Sequence, residues 1–279
     1  MPLRMIPRSL LAAGGVGLLL CAATAAWAIM PLGHNQLAVS ERAQGWKLLF
    51  DGKSTTAWRS YLGNEFPAAG WKIEDNALKC EKSNGRPNGG GGDIVTRDSF
   101  TDFELAWQWR ISPGGNTGLK YFIVRRPALG RAMFKGDDGR ALVGLEYQML
   151  DDDAHPDAKN GPSRTSGALY LLIAPSGKTL RPVGQYNDSR LVVRGTHVEH
   201  WLNGEKVVAY ELGSAALGQA LAASKYSGVP GFADPHRQPT PILLQDHGFD
   251  AWFRNIKILD LTPGHRPAAP AAPAAPAPR

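Results

Sequence analysis

The stretch Phe103-Glu104-Leu105-Ala106-Trp107-Gln108-Trp109-Arg110-Ile111 decides the fold class of this chain. Large apolar side chains stand at every second position, and polar or small residues separate them. Successive side chains of a β-strand point to opposite faces of a sheet, so this alternation predicts a strand that is buried on one face. We therefore expect a sheet whose apolar side packs against a second layer.

The same period of two recurs on both sides of that stretch. It predicts strands at residues 71–74, 76–81, 119–124, 142–150, 168–173, 190–194, 242–245 and 251–259. Residues 197–202 and 205–210 are predicted to form a β-hairpin, because Asn203-Gly204 between them is the preferred pair for a type I′ turn. Only residues 214–226 have helical character, and no βαβ unit is visible. The pattern predicts an all-β fold, a sandwich of two antiparallel sheets.

The first 28 residues are typical of an export signal. Arg4 and Arg8 precede an apolar run at residues 9–20, and Ala26-Trp27-Ala28 is a small-x-small cleavage site. The apolar run is shorter than the roughly 20 residues of a membrane-spanning helix. We expect a periplasmic or secreted protein that is not inserted in the membrane after cleavage. A lipid anchor on Cys21 is disfavoured, because a small residue is expected before such a cysteine.

Composition divides the remainder of the chain into three parts. Residues 29–44 have the character of a linker, and residues 263–279 form a Pro/Ala-rich tail that predicts disorder. The folded domain is therefore expected at residues 45–262. Its length suits a single all-β domain.

The distribution of charge argues against a nucleic-acid partner. The formal net charge is +6, but four of the 31 basic residues lie in segments 1–28 and 263–279, which contain no acidic residue. The middle of the chain has 27 basic against 25 acidic residues, and no basic run exceeds two. Cys80 is the single cysteine outside the leader, so the sequence predicts neither an internal disulfide nor a cysteine metal cluster.

Two polar segments at predicted strands carry the candidate site. Glu146 and Gln148 share one face of the strand at 142–150, where buried polar groups need partners or a cleft. Retaining glycosidases need two carboxylates about 5–5.5 Å apart, and Gln148 stands where the second carboxylate would be expected. The second segment, Gln245-Asp246-His247, ends a short apolar strand, and a histidine there can move protons near neutral pH. Further polar or aromatic candidates are Asn116, Lys120, Arg164 and Tyr170.

The sequence leaves a metal cofactor open. His197 and His200 point to opposite faces of a strand, so they cannot grip one ion together. The acidic segment 151–157 offers oxygen ligands that suit Ca²⁺, but it lacks the glycine and glutamate of an EF-hand loop. We favour a solvated acidic turn, with a divalent cation as the alternative.

Five ordered motifs resemble those of the 3-keto-disaccharide hydrolase domain family. They span about residues 45–260 and are Gly45-Trp46-Lys47-Leu48-Leu49-Phe50-Asp51-Gly52-Lys53, Asn116-Thr117-Gly118, Gly144-Leu145-Glu146-Tyr147-Gln148-Met149-Leu150-Asp151, Gly167-Ala168-Leu169-Tyr170 and Gln245-Asp246-His247-Gly248. The resemblance implies a concanavalin A-like jelly-roll sandwich and action on glycosides already oxidised to a ketone at C3. Insertions at 127–140 and 216–239 depart from the family pattern and are expected to reshape the cleft.

A C3 ketone acidifies the hydrogen on C2, so one base can start the reaction. The enolate then expels the C1 substituent, and water adds later. Because both lie on polar strand segments expected to share a concave face, we hypothesise that Glu146 or His247 is the base, with the other as acid. Gln148, Gln245, Asp246, Asn116 and Tyr170 would bind substrate, and Lys120 or Arg164 would face the developing charge.

Other function classes use the same sandwich. A lectin-like module would bind unoxidised glycans without turnover. An endoglucanase-like hydrolase would need a carboxylate within reach of Glu146 and would cleave without prior oxidation. A structural envelope protein would do neither. The sequence leaves the sugar and the oligomeric state open.

Overall fold

The computed structural model describes residues 33–83, 90–125 and 142–264. These residues belong to one unit, Leu32–Arg279. The predicted leader, the insertion at 127–140, and the tail from residue 265 onward lie outside the described residues.

Within these ranges, thirteen strands and two α-helices follow one another along the chain. The first strands are β1 Lys47–Leu48, β2 Trp58–Ser60, β3 Trp71–Glu74, β4 Ala77–Cys80, β5 Ile94–Thr96, β6 Phe103–Ile111 and β7 Asn116–Arg125. The later strands are β8 Leu142–Leu150, β9 Asn187–Arg194, β10 His197–Leu202, β11 Glu205–Glu211, β12 Leu243–Leu244 and β13 Ala251–Asp260. The helices are α1 Val39–Gln44 and α2 Ala215–Ala222, with 3-10 turns at Pro156–Asn160 and Pro162–Arg164.

Two antiparallel sheets pack face to face, which confirms the predicted sandwich. The larger sheet has eight strands in the order β11-β10-β9-β6-β13-β4-β3, and β1 pairs with β13. The smaller sheet has five strands in the order β2-β5-β12-β7-β8. Strands β6 and β7–β8 lie in opposite sheets, so their apolar faces meet in the core.

The alternation of β6 is the one that the sequence predicts. Phe103, Leu105, Trp107, Trp109 and Ile111 are all buried on the inner face. The Trp107 ring packs edge-on against the ring of Tyr147 from the opposite sheet, with centroids 5.0 Å apart. Burial of such aromatic side chains dominates the stability of a core.

The hairpin of β10 and β11 forms as predicted, with positive φ at both Asn203 and Gly204. It also separates the two histidines of β10. His200 is fully buried and contacts the Tyr121 hydroxyl through Nε2 at 2.6 Å, whereas His197 lies on the outer face beside Glu211. Their opposite directions confirm that the two side chains lie on different faces of β10.

The helical prediction at 214–226 is confirmed in part by α2, but the linker at 29–44 contains the unpredicted helix α1. This helix has no buried residue, so its sequence lacks the apolar periodicity that would predict a helix. Glu41 accepts a hydrogen bond from the Ala38 amide at 2.9 Å, and Asn35 accepts one from the Asn255 amide at 2.7 Å. The segment is thereby fastened to β13. No helix among the described residues is long and apolar enough to span a membrane.

The predicted strand at 168–173 is wrong. Only isolated bridges, Tyr147 to Leu169 and Leu169 to Ile173, join this segment to a sheet or to itself. Leu171 has a φ of 67°, which turns the chain back so that Ile173 donates to the Leu169 carbonyl at 2.9 Å. The resulting turn still hydrogen-bonds to β8, because the Tyr170 amide donates to the Glu146 carbonyl at 2.9 Å.

Candidate functional site

The outer face of the five-stranded sheet gathers the predicted site residues. Lys120 on β7 lies opposite Glu146 on β8, and Gly118 lies opposite Gln148. On the other side of β7, the Gln245 amide donates to the Gly118 carbonyl at 2.9 Å, so the pairing continues past β12. Since side chains two apart on a strand share a face, these residues converge on one surface.

Gly118 is the open centre of this surface. A Cβ atom at that position would lie 2.9 Å from Cδ of Glu146, closer than two such carbons approach. The missing side chain lets the Glu146 carboxylate lean across β7. The sequence therefore places glycine where a charged group must cross the strand.

Glu146 is buried, and burial raises the pKa of its carboxyl group. The positive charges of Lys120 and Lys225 oppose this rise. Lys225 comes from the predicted insertion at 216–239 and lies at the exposed rim, with its ammonium 4.9 Å from the Tyr170 ring centre and 5.2 Å from that of Tyr226. The segment 216–239 thus contributes the charge of Lys225 near Glu146.

The side chains of Tyr170 and Arg164 both contact the carboxylate of Asp157 and do not face the open cleft. The Tyr170 hydroxyl donates to Oδ2 of Asp157 at 2.8 Å, and Arg164 forms an ion pair with Oδ1 of the same residue. Burial raises the pKa of the Tyr170 phenol, and the negative charge of Glu146 adds to the rise. Arg164 is therefore already neutralised by Asp157, whereas the family resemblance implied that it would face developing charge.

Asp246 points to the opposite side of its segment and organises the glycine-rich loop. Its Oδ2 accepts from the Gly91 amide at 3.3 Å and the Gly92 amide at 3.1 Å, and its Oδ1 accepts from Gly248 at 3.0 Å. The structure thus gives its carboxylate backbone partners instead of substrate hydroxyls. Its own amide donates to Oδ1 of Asp93 at 2.9 Å.

Asp93 is a site residue that the sequence does not indicate. It is buried, and burial raises the pKa of its carboxyl group to about 6. The charges of Lys120, Asp246 and Glu146 also act on it, so it belongs to the same electrostatic cluster. It stands alone between a glycine run and a short strand, and no spacing pattern in the sequence marks it.

Three buried polar atoms lack a hydrogen-bond partner among the described residues of this surface: Oδ1 of Asn116, Oε1 of Gln245 and Nδ1 of His247. His155 lies beside two of these residues. Its Nε2 is 3.5 Å from Nδ2 of Asn116, and its ring centre is 6.4 Å from that of His247. Since buried polar groups are normally paired, the three unpartnered atoms mark this corner as a candidate binding site.

Both histidines of this corner are neutral at pH 7. Burial lowers the pKa of His247 to about 4, and the charge of Lys120 lowers it further. Burial also lowers the pKa of His155. His155 is the second site residue that the sequence does not indicate, because it follows an acidic run that has the character of a turn.

The carboxylates of that acidic run are occupied by the protein itself. Oδ1 of Asp151 accepts from the amides of Asp153 and Ala154, and its Oδ2 accepts from Gly114 at 2.8 Å. Asp152 pairs with Lys178. Within the part of the chain that the structure describes, no group of three acidic, histidine or cysteine side chains is placed to hold a metal ion. The carboxylates of Asp151 and Asp152 are therefore engaged by protein groups.

The arrangement suits proton transfer from carbon. A buried carboxylate with a raised pKa is a stronger base than one in water, and cations beside it can stabilise an oxyanion. Gln148, whose side chain Nε2 lies 3.5 Å from the Arg164 carbonyl, supplies an amide where a retaining glycosidase needs a second carboxylate.

Comparison with known proteins identifies relatives over nearly the whole folded unit. The family model described as a 3-keto-α-glucoside-1,2-lyase-like domain matches residues 45–259. A protein of Bacteroides thetaiotaomicron named 3-keto-disaccharide hydrolase is 34% identical over an alignment of 242 positions, which covers 80% of this chain and 81% of the relative.

Solved structures of other proteins share the fold of this chain. A crystal structure from Parabacteroides distasonis, described as that of a glycosyl hydrolase, is 29% identical and superposes with a TM-score of 0.68 over 82% of this chain and 100% of the other. A second structure from the same organism, at 23% identity, has a TM-score of 0.54 over 77% of this chain and 84% of its own; it supports the fold alone.

Proposed function

The chain belongs to the 3-keto-α-glucoside-1,2-lyase-like domain family, and from this premise we propose that it cleaves 3-keto-glycosides by elimination across C1 and C2. The base takes the proton on C2, and the electron pair of that bond moves toward the C3 ketone to give an enolate. The C3=O bond then re-forms, the electron pair between C2 and C3 becomes the C1–C2 double bond, and the bond from C1 to the leaving oxygen breaks. That oxygen takes up a proton. Water adds to C1 afterwards, so that the net result is hydrolysis.

One observation carries the proposal: Glu146 is buried over Gly118, with two lysine charges acting on it. Lys120 on β7 lies directly opposite it in the β7–β8 pair, and Lys225 approaches from the rim. A carbon acid needs a base that is poorly solvated and a cation that receives the negative charge as it moves to oxygen. We assign the base to Glu146 and enolate stabilisation to Lys120.

The remaining residues divide into those that meet substrate and those that hold others. Gln245 and Asn116 present amides to the cleft and bind hydroxyl groups, whereas the Gln148 amide contacts the Arg164 carbonyl and the Met149 amide and positions that segment. His247, neutral at pH 7, hydrogen-bonds the departing C1 oxygen; the reverse assignment, with His247 as base and Glu146 as acid, uses the same geometry.

A 3-keto-glucoside labelled with deuterium at C2 tests the reaction. We expect a primary isotope effect on kcat/KM and an unsaturated keto sugar that appears before the hydrated product. Cleavage without loss of the label, or equal cleavage of the unoxidised glucoside, would contradict elimination and favour direct hydrolysis. Binding of glycans without turnover would favour a lectin-like module. A His247→Ala variant with full activity would remove His247 from the mechanism.

We also propose that the protein is exported. Arg4, Arg8, the apolar run at 9–20 and the Ala26-Trp27-Ala28 site support this. N-terminal sequencing of protein from the native host should find Ile29 as the first residue. A chain that retains Met1 and the apolar run would contradict cleavage.

A further inference from the structure

His155 has a fixed donor and a fixed acceptor nitrogen. The Asp157 amide donates a hydrogen bond to its Nδ1 at 3.1 Å, so that nitrogen carries no proton. A neutral imidazole with an unprotonated Nδ1 carries its proton on Nε2. Burial lowers the pKa of His155 below its ordinary value, which favours the neutral ring at pH 7. Nε2 is therefore a hydrogen-bond donor.

The neighbour of that donor is the side-chain amide of Asn116. The Asn116 nitrogen stands 3.5 Å from Nε2 of His155, while its oxygen is buried without a partner among the described residues. Two N–H groups cannot hydrogen-bond to each other. The oxygen and nitrogen of an amide differ little in size, so rotating the amide by half a turn pairs the Asn116 oxygen with Nε2–H of His155 and moves the NH₂ group to the position of the unpartnered oxygen.

We propose that Asn116 turns its oxygen to Nε2–H of His155 and its NH₂ group into the cleft, and that His155 is the positioning residue that sets this direction. Just after β12, whose chain continues along β7, Oε1 of Gln245 is a buried acceptor that no described residue satisfies. Asn116 and Gln245 then form a donor–acceptor pair. This step deepens the proposed function and rests on it for the identity of the ligand.

Such a pair selects a hydroxyl group and rejects a ketone. A sugar hydroxyl can accept from the Asn116 NH₂ and donate to the Gln245 oxygen at the same time. A ketone oxygen can only accept, which would leave the Gln245 oxygen desolvated and unpaired. The pair therefore binds a hydroxyl-bearing carbon of the substrate ring, and the C3 ketone is directed elsewhere, toward Lys120.

Nitrogen-15 NMR of the histidine rings measures the proton position directly. We expect His155 in the neutral Nε2–H form at pH 7, assigned by the signal that disappears in His155→Gln. A proton on Nδ1, or a doubly protonated ring, would overturn the inference. This measurement needs only the folded native protein and does not depend on substrate.

The matched variant is Asn116→Asp. It retains an oxygen for Nε2–H of His155 but has no N–H to offer the cleft. We expect a folded protein with kcat/KM lowered roughly 10- to 100-fold on a 3-keto-glucoside. Asn160→Asp makes the same chemical change at an exposed position of a 3-10 turn and should leave kcat/KM unchanged. Full activity of Asn116→Asp would overturn the donor role.

A double-mutant cycle tests whether His155 acts through Asn116. His155→Gln alone should lower kcat/KM about 10-fold, but by less than about 2-fold in an Asn116→Ala background. Additive losses would show an independent role and overturn the positioning claim. If the native protein has no activity on 3-keto-glucosides yet His155 carries its proton on Nε2, the proposed function fails while the amide orientation stands. If the protein is active and the proton lies on Nδ1, the proposed function stands and the amide orientation fails.

Discussion

The outer faces of the two sheets both carry polar groups, but they differ in how completely those groups are hydrogen-bonded. On the eight-stranded sheet, Oε1 of Gln108 accepts from Arg254 at 2.8 Å and from Asn255 at 2.9 Å, while its nitrogen donates to Asp188 at 2.7 Å. On the five-stranded sheet, three buried polar atoms that face one corner have no partner among the described residues.

This difference separates a structural surface from a site. The eight-stranded face even carries a groove with a volume of about 500 Å³, lined by Trp201 and Lys257 among others. Several of the groove's polar side chains bond to one another, so a ligand would have to break existing hydrogen bonds. Nε of Arg110 also lacks a hydrogen-bond partner, but its guanidinium group stacks on the Trp252 ring at 4.3 Å. The five-stranded face leaves groups desolvated and unpaired, which costs stability and prepares it for a ligand.

The largest expected effect comes from replacing one buried carboxylate on each face with an amide. Glu146→Gln should lower kcat/KM about 1,000-fold, because it removes the base, and should leave the melting temperature unchanged or higher. Glu104→Gln should leave kcat/KM unchanged and lower stability by about 1 kcal/mol, since Arg190 and Arg194 lose their partner. Steady-state kinetics and thermal unfolding of both variants decide; an active Glu146→Gln would refute the assignment.

A smaller effect is expected from a methyl group at the centre of the site. Gly118→Ala forces the Glu146 side chain from its place over β7, so we expect a loss of roughly 10- to 100-fold in kcat/KM. Gly218→Ala in α2 is the control, because a Cβ atom added at that position would have no atom within 4 Å outside its own helix and chain neighbours. That variant should keep full activity and gain about 0.5–1 kcal/mol of stability. Equal kinetics for the two variants would contradict the role of Gly118.

The two faces should also respond to pH with opposite signs. The pKa of Asp93 is about 6 in the fold against 3.8 in the unfolded chain, so its stability contribution is complete below 3.8 and lost as pH rises through 6. Burial raises the pKa of Glu199 on the other face, but hydrogen bonds from Lys206, Trp201 and His197 outweigh it and lower the pKa to about 2. Its contribution is therefore present above 4.5 and lost as pH falls through 2.

Urea unfolding at pH 3 and pH 7.5 measures this reversal. Asp93→Asn should be more stable than the native protein by about 2 kcal/mol at pH 7.5, and the gain should vanish at pH 3. Glu199→Gln should be less stable by up to about 1 kcal/mol at pH 7.5, with a smaller loss at pH 3. Parallel pH profiles for the two variants would show that the faces do not differ in this way.

The sheets could be predicted from the sequence because their cause is local. Alternation in β6 and β8 and the Asn203-Gly204 turn depend on neighbouring residues alone. The segment 168–173 forms a turn instead of the predicted strand, because the left-handed φ of Leu171 depends on packing and not on residue type. Helix α1 has no signal in the sequence, because its segment is held by contacts with β13, more than 200 residues away along the chain.

The site could be predicted only where it lies on those alternating strands. Glu146 and Gln148 follow from the face of β8, and Gln245 and His247 from the end of β12. Asp93, His155 and Lys225 come from loops and from the insertion, and only the folded chain brings them near Glu146. The roles of Asp246 and Arg164 as partners of protein groups likewise depend on three-dimensional contacts.

The pairing register of strand β8 determines both the packing of the core and the positions of the cleft residues. Its residues from Val143 to Leu150 are buried on both faces, with Tyr147 and Met149 in the core and Glu146 and Gln148 in the cleft. A slip of one residue in pairing would drive a carboxylate into the apolar core and expose an aromatic ring in its place. Misaligned pairing is therefore energetically disfavoured, so the register that buries the core also places Glu146 in the cleft.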